Sequence, residues 1–336
     1  MKQEKSLISV VVCTYNQQDT IGRTLDSILM QQCHVPYEIV IGEDCSTDNT
    51  LAICQEYATK HPDIIRILAN KPNKGVQDNY FDCVLAAHGQ YIADCAGDDF
   101  WIDPLKLEKE VTIMETHPEV TLVHTDWQQY NETKGSATPS PKKPFTEAIT
   151  KGAEMLEAII TQTDVPVIHL NTSLYRREII VNALQQDEST FRNPDYGCED
   201  VQVAFVEAQH GDIAYLSDVT LNYSQGHESV STSTDYRKVY HFTLQTTRLT
   251  YHIAQQHHMG STAIDTYFRQ RCHALLMCAF RLHDKQMLEE TLQYMKAWGV
   301  TNEGETRMPI AIMKSELSWG LALKIRHLFV SLKKLL

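Results

Sequence analysis

Residues 89–101 read GQYIADCAGDDFW, and the rest of the chain is arranged around this stretch. Tyr91 and Ile92 favour a strand, and Gly89 and Gly97 bracket it. Two adjacent carboxylates, Asp98 and Asp99, stand just past Gly97. In extended geometry neighbouring side chains point to opposite faces, so the two acids have different jobs. Pro104, Leu105, Leu107, Val111 and Met114 then follow at helical spacing. A carboxylate at the C-terminal end of a sheet strand is where α/β proteins place ligand chemistry. A helix cap with a solvated turn is the competing reading.

Working upstream, the same unit repeats. Residues 7–13, LISVVVC, suit a strand buried on both faces. They stop at Thr14, Tyr15 and Asn16, and Ile21, Leu25, Ile28 and Leu29 mark an amphipathic helix. A second strand, Tyr37–Gly42, ends at Glu43 and Asp44, and a helix over residues 51–58 follows. A third strand covers 64–68; after Asn73, Lys74 and Gly75 comes a helix carrying Val76, Tyr80 and Val84. The stretch at 89–101 therefore opens with the fourth strand. Alternation at this spacing predicts a mostly parallel sheet flanked by helices. Polar residues gather after three of the strands, where a nucleotide cleft is expected. Neither GxGxxG nor a Walker loop is present, so the ligand is held differently. Acidic positions beside a diphosphate call for a cation between them.

Composition narrows the classes. The 336 residues are 43% hydrophobic and 22% charged, enough for one large domain and a smaller one. A net charge of −13 argues against nucleic acid as a partner. Nine cysteines without a CxxC pair read as thiols in a reducing compartment, not as a zinc site. The N-terminal apolar run is short for a signal peptide, and no run reaches the ~18 residues of a membrane span. The expected location is cytoplasmic, with association at the inner membrane face open.

VVVCTYN, IGEDCSTDNT, NKG and GQYIADCAGDDFWIDPLKLEKEV, in this order, resemble the family 2 glycosyltransferases, inverting enzymes of the GT-A fold. The resemblance runs from about residue 6 to about residue 231. It implies that Thr14, Tyr15 and Asn16 line the nucleotide pocket and that Asp44, preceded by Glu43, bonds the base. Asn73 and Gly75 fall on the same side. Asp98 would meet the diphosphate and a Mn²⁺ or Mg²⁺ ion, with His227 reaching the metal from a closing loop. Asp99 would be structural or sugar-facing, and Trp101 and Arg176 would face sugar or acceptor, although Arg176 and Arg177 read equally well as a surface pair. Glu199 and Asp200 match an acidic pair at a helix start: Asp200 as the base, Glu199 orienting the acceptor. Without the resemblance, the pair reads as acids favoured at a helix N-terminus.

One position departs from the family pattern. An acid commonly stands two residues before the metal aspartate, and here that residue is Ala96. Asp94 lies on the same strand face, ~6–7 Å further back. It is expected at the core edge or in solvent, not as a replacement.

Residues 120–125 read as a further strand and 131–145 as a loop or flap. Residues 153–160 read as a helix, and 213–216 with 219–223 as two strand pieces. From about residue 235 the pattern is helical, broken at Gly260, Asp284 and Gly299. Pro309 opens a last helix with Leu317, Leu321, Ile325, Leu328, Leu332 and Leu335 on one stripe. Lys314, Lys324, Arg326, Lys333 and Lys334 make it basic. Such a helix binds an anionic membrane or docks on the bundle. The expected organisation is a catalytic domain over 1–232, a helical extension over 233–305 and a basic helix over 306–336, with homo-oligomers open.

The resulting expectation is a metal-dependent inverting glycosyltransferase of hexosyl or N-acetylhexosaminyl type. Its donor would be a nucleotide sugar, UDP-linked, and its acceptor a glycan or lipid-linked hydroxyl in cell-surface polysaccharide synthesis. The alternatives are a sugar nucleotidyltransferase, or a non-catalytic binding module descended from a transferase.

Overall fold

Strand β1 (Ile8–Thr14) is the run of β-branched residues, with Ile8, Val10 and Val12 fully buried. Each such side chain contributes about 1.5–3 kcal/mol by leaving water, which fixes β1 inside the sheet. Helix α1 (Ile21–Leu29) returns the chain to β2 (Tyr37–Glu43), and α2 (Thr50–Lys60) leads to β3 (Ile65–Ala69). Helix α3 (Val76–Ala86) leads to β4 (Tyr91–Asp94), then the short β5 (Phe100–Trp101) and α4 (Lys106–Thr116). Next come β6 (Val120–Asn131), β7 (Ser136–Pro139), β8 (Ile149–Thr150), α5 (Gly152–Thr161) and β9 (Ser173–Arg176). Helices α6 (Arg177–Gln186), α7 (Glu188–Phe191) and α8 (Asp200–His210) precede β10 (Asp212–Gln225). This computed structural model describes residues 8–140, 148–162, 168–225 and 235–333.

The sheet order is β3-β2-β1-β4-β9-β6-β10-β5, with β7 on β6 and β8 on β10. The long ladders are parallel: β1 with β2 and β4, β2 with β3, and β6 with β10. In register, Thr14 stands opposite Glu43 and Val11 opposite Asp94. The C-terminal ends of β1, β2 and β4 thus form one edge. The antiparallel β9 is inserted between β4 and β6.

Three sequence expectations change here. Residues 131–145 are not all loop: a turn with Gly135 at φ +60° returns the chain as β7 along the extended β6. Pro139 is tolerated because β7 is an edge strand. The two pieces at 213–223 are one strand, β10, whose register shifts between Leu216 and Val219. The last helix does not run unbroken from Pro309. It is split into α12 (Arg307–Met313) and α13 (Glu316–Lys333), and Ser318 Oγ folds back to the Ile312 carbonyl at 2.6 Å.

The chain divides into two compact units: Met1–Pro194 with Cys198–His227, and Asp195–Gly197 with Glu228–Leu336. The second unit is helical: α9 (Tyr236–Gln256), α10 (Thr262–Leu282) and α11 (Lys285–Ala297), then α12 and α13. Asp235, Ser261 and Asp284 cap the first three of these helices through their side chains. Trp319 is buried in this unit, its Nε1 donating to the Phe280 carbonyl at 3.0 Å. Among the described residues no helix is long and apolar enough to cross a membrane.

Candidate active site

Beyond β4 the backbone keeps pairing with β1: Cys95 N–H donates to the Val11 carbonyl and Gly97 N–H to the Cys13 carbonyl, both at 3.0 Å. A Cβ at position 97 would lie 2.8 Å from Thr14 Oγ1, so only glycine fits this approach. A tight turn, Asp99 N–H to the Ala96 carbonyl at 3.0 Å, then delivers the two acids to different surroundings. Asp99 turns inward and is buried. Its oxygens accept from Ser224 N–H at 2.8 Å and from the Asn171 side-chain amide at 2.6 Å. Burial and the Asp98 charge push its pKa well up, against the pull of those two donors. Asp98 remains half-buried at the cavity.

Across that cavity stands the start of α8. Asp200 is its first residue, and its carboxylate accepts from Leu170 N–H at 3.1 Å. Burial, then repulsion from Asp200, pushes Glu199 up to about 8. The cavity, of roughly 200 Å³, is lined by Asp98, Asp99, Glu199 and Asp200 together with Asp94 and Ala96. Asp94 is not at the core edge or in solvent as expected from sequence. It is 3% exposed, and burial raises its pKa far above the carboxylate range.

The expected nucleotide-side residues form a separate network at the ends of β1 and β2. Asp44 accepts from Asn70 Nδ2 (3.0 Å), Lys74 N–H (2.8 Å) and Gly75 N–H (2.9 Å), while Asn73 Nδ2 donates to the Asp44 carbonyl at 2.7 Å. Gly75, at φ +88°, lets the loop present those amides. Glu43 accepts from Ser46 N–H at 2.7 Å. Asn16, at φ +53°, accepts from Thr47 N–H at 2.8 Å, and Thr14 Oγ1 donates to Gln17 Oε1 at 2.8 Å. Tyr15, 48% exposed, is the aromatic ring left open to a ligand at the end of β1.

Two expected contacts are not at the cavity. Trp101 is buried in the core, its Nε1 donating to the Asn171 carbonyl at 2.9 Å. Arg176 pairs in register with Tyr91, at the N-terminal end of β4, whereas Asp98 follows the C-terminal end. Its guanidinium donates to the carbonyls of Val120, Met114 and Pro118. It is a backbone clamp, because β9 runs antiparallel to β4. His227 lies outside the described residues. Sequence reasoning missed Asn171, whose amide ties the Ala96 N–H (3.1 Å) to Asp99. The only signal was its place in a polar triplet, Asn171-Thr172-Ser173.

The donor set fits a hard divalent cation. All acids of the cavity offer oxygen, and among the described residues its lining contains no lysine or arginine. Among the described residues the one trio of His, Cys, Asp or Glu with ligand atoms within 4.8 Å of one another is Cys33, His34 and Glu108. Asp98 is in no such trio among the described residues, and a cation there would take its further ligands from the donor phosphates. Mg²⁺ is often bound through one or two carboxylates plus substrate phosphates.

The fold is that of the GT-A glycosyltransferases. The chain belongs to glycosyl transferase family 2, whose sequence profile matches residues 9–182, more than half of it. It is 34% identical over 112 residues to an Escherichia coli protein described as UDP-Glc:alpha-D-GlcNAc-diphosphoundecaprenol beta-1,3-glucosyltransferase WfaP. That match covers 33% of this chain and 42% of WfaP, so the chain spans less than half of that relative. Among solved structures, S. aureus TarS 1–349 with UDP-GlcNAc superposes at a TM-score of 0.52 with 16% identity, over 88% of this chain and 93% of that one. The mannosyltransferase PcManGT of Pyrobaculum calidifontis, with GDP-Man and Mn²⁺, superposes at 0.50 with 18% identity, over 99% and 88%. At these identities the two structures speak for the fold alone.

Proposed function

We propose that the chain is a metal-dependent inverting glycosyltransferase. It moves a sugar from a UDP-linked donor to a hydroxyl of a glycan or lipid-linked acceptor in cell-surface polysaccharide synthesis. The observation that carries this reading is the cavity with Asp98 on one wall and the Glu199–Asp200 pair on another. Asp200 takes the proton of the acceptor hydroxyl as that oxygen bonds to the anomeric carbon. The bond from the anomeric carbon to the phosphate oxygen breaks on the opposite face, giving inversion. Glu199 holds its proton more tightly than an ordinary glutamate and donates a hydrogen bond to the acceptor. Asp98, joined by His227, is the residue assigned to hold a Mn²⁺ or Mg²⁺ ion, which when bound offsets the charge on the departing diphosphate. Tyr15 stacks on the base, and the Asp44 network shapes the pocket beside it. The description of WfaP supports a UDP-sugar.

Thermal unfolding with UDP, GDP, CMP and dTDP, each with and without Mn²⁺, tests the reading. Saturation to about 100 times Kd adds about 2.7 kcal/mol. A Mn²⁺-dependent shift with UDP is expected. A shift with another nucleotide changes the donor, and none at all favours the binding-module alternative suggested by Ala96.

The same reading places α13 on an anionic membrane surface. Leu317, Leu321 and Ile325 are 88%, 60% and 48% exposed, on one stripe at intervals of four residues. Lys314, Lys324 and Arg326 flank it, and the buried Trp319 holds another face of the helix to its own unit. The triple variant Leu317→Ser, Leu321→Ser, Ile325→Ser is expected to stop co-sedimentation with phosphatidylglycerol vesicles. Wild-type protein that stays in the supernatant as a dimer would make the stripe a subunit interface.

A further inference from the structure

Of the two cavity acids that the mechanism does not use, Asp99 is held by Ser224 and Asn171, and the other is Asp94. It is 3% exposed, and neither carboxylate oxygen has a hydrogen-bond partner. The Tyr80 hydroxyl faces it; that group meets the Tyr175 hydroxyl at 2.6 Å and is placed to favour the Asp94 carboxylate only from beyond hydrogen-bond distance. The charges of Glu199 and Asp200 oppose its ionisation and that of Lys106 favours it, and among the described residues no lysine or arginine lines the cavity. A buried acid without a partner destabilises a fold.

Asp94 stands at the last position of β4, in register with Val11 of β1, well inside the sheet edge. Backbone bonding to β1 continues past Asp94 to Gly97, and Ala96, between them, also lines the cavity. Two residues of extended chain span about 6.6 Å, so the carboxylate at 94 is set back from position 96, beneath the floor on which Asp98 stands. A nucleotide held from the ends of β1 and β2 directs its ribose and diphosphate toward 96 and 98. The group beyond the diphosphate, deeper and facing Glu199 and Asp200, is the transferred sugar.

We infer that Asp94 reads the donor sugar, accepting a hydrogen bond from a ring hydroxyl at the cavity floor, so that the donor carries a neutral hexose or N-acetylhexosamine and not a uronic acid. The inference rests on the proposed function. It adds the substrate class and a residue that selects it. Among the described residues none of the lining side chains is a lysine or arginine that would pair with a sugar carboxylate.

The test measures two things on wild type, Asp94→Leu and Asp94→Asn. The first is the Kd of UDP, UDP-glucose, UDP-N-acetylglucosamine and UDP-glucuronate with Mn²⁺. Wild type is expected to bind one neutral UDP-sugar at least tenfold more tightly than UDP-glucuronate. Asp94→Leu should lose that margin with UDP affinity unchanged, and Asp94→Asn, which keeps one carbonyl acceptor, should lose part of it. Equal margins in wild type and Asp94→Leu, or UDP-glucuronate bound as tightly as the neutral donors, overturn the inference. The second is the melting temperature of the ligand-free proteins. Asp94→Leu is expected to melt higher, because it removes an unsatisfied acid; a lower value makes Asp94 a structural partner of Tyr80 and overturns the inference. If no nucleotide binds wild type, the proposed function fails by itself, and the melting comparison still decides the role of Asp94.

Discussion

Lys106 and Glu110 form a 2.7 Å ion pair one turn apart in α4, and neither side chain reaches solvent. The Lys106 ammonium also lies 4.5 Å from the centre of the Trp101 ring, while Glu110 Oε1 has no partner. Burial pushes Glu110 up to about 7 against the pull of Lys106. Removing one partner of such a pair destabilises by about 3–5 kcal/mol, and replacing both is often neutral or better. Lys106→Met should therefore lower the urea midpoint sharply. The double variant Lys106→Met, Glu110→Leu should restore it to near the wild-type value. A mild single variant would show that water reaches the pair.

Five raised carboxyls among the described residues, Asp94, Asp99, Glu110, Glu199 and Glu207, give stability a definite pH slope. Glu110 and Glu199 titrate near 7 and 8 in the folded chain, and Asp94, Asp99 and Glu207 are also held far up. Their unfolded values are near 4, so the folded state keeps protons that the unfolded state releases. Stability is full below the unfolded values and is lost as pH rises through 7 and 8. The slope approaches about 1.4 kcal/mol per pH unit for each group inside its window. Asp48, Asp82 and Asp103 are held low and act only under about pH 4. Melting temperature should fall between pH 5.5 and 8.5, and Glu199→Gln should flatten the fall. A flat or rising wild-type profile would remove the burial argument for these acids.

Asp200 and Arg176 should fail in opposite ways. Loss of a general base costs ~10²–10⁴-fold in rate. Asp200→Asn should show that loss in kcat, with Mn²⁺-dependent UDP binding within about twofold of wild type. Arg176→Ala removes the clamp on three carbonyls. It should destabilise by about 1–3 kcal/mol and leave kcat/KM for the acceptor unchanged. A selective rise in acceptor KM would return Arg176 to the acceptor site.

These contrasts mark where sequence reading succeeds. Residues 7–13 and the alternation up to Gly89 were legible because both faces of each central strand are buried, and a continuous apolar run has few other uses. Asp98, Glu199 and Asp200 were legible as types at strand and helix ends. The antiparallel β9 was not, because four residues carry little periodicity and its neighbours, β4 and β6, are far apart in sequence. That insertion is also what removed Arg176 from the site. Asp94 was misread for a different reason. Strand periodicity tells which face a side chain takes, but not that the face meets α8 across a cavity. Asp44 was legible as an acid just past the end of β2; its three donors from Asn70, Lys74 and Gly75 were not.

Ala96 provides the sharpest test of how the nucleotide lies. Its backbone N–H is bound to Asn171 at 3.1 Å, and its methyl lines the cavity beside Asp98. The methyl accepts no hydrogen bond and holds no cation. An aspartate there would place a carboxylate one strand step nearer the rim than Asp94, within reach of a ribose hydroxyl. A net hydrogen bond contributes about 0.5–1.5 kcal/mol, so Ala96→Asp should tighten UDP binding about two- to tenfold. Titration calorimetry of UDP with excess Mn²⁺ measures this directly, and repeating it with Mg²⁺ separates a ribose contact from a metal contact. A gain with both ions places the ribose over position 96, whereas a gain with Mn²⁺ alone makes the new acid a metal ligand. An unchanged Kd would mean that the nucleotide passes position 96 without touching it, so that the alanine does not limit donor affinity.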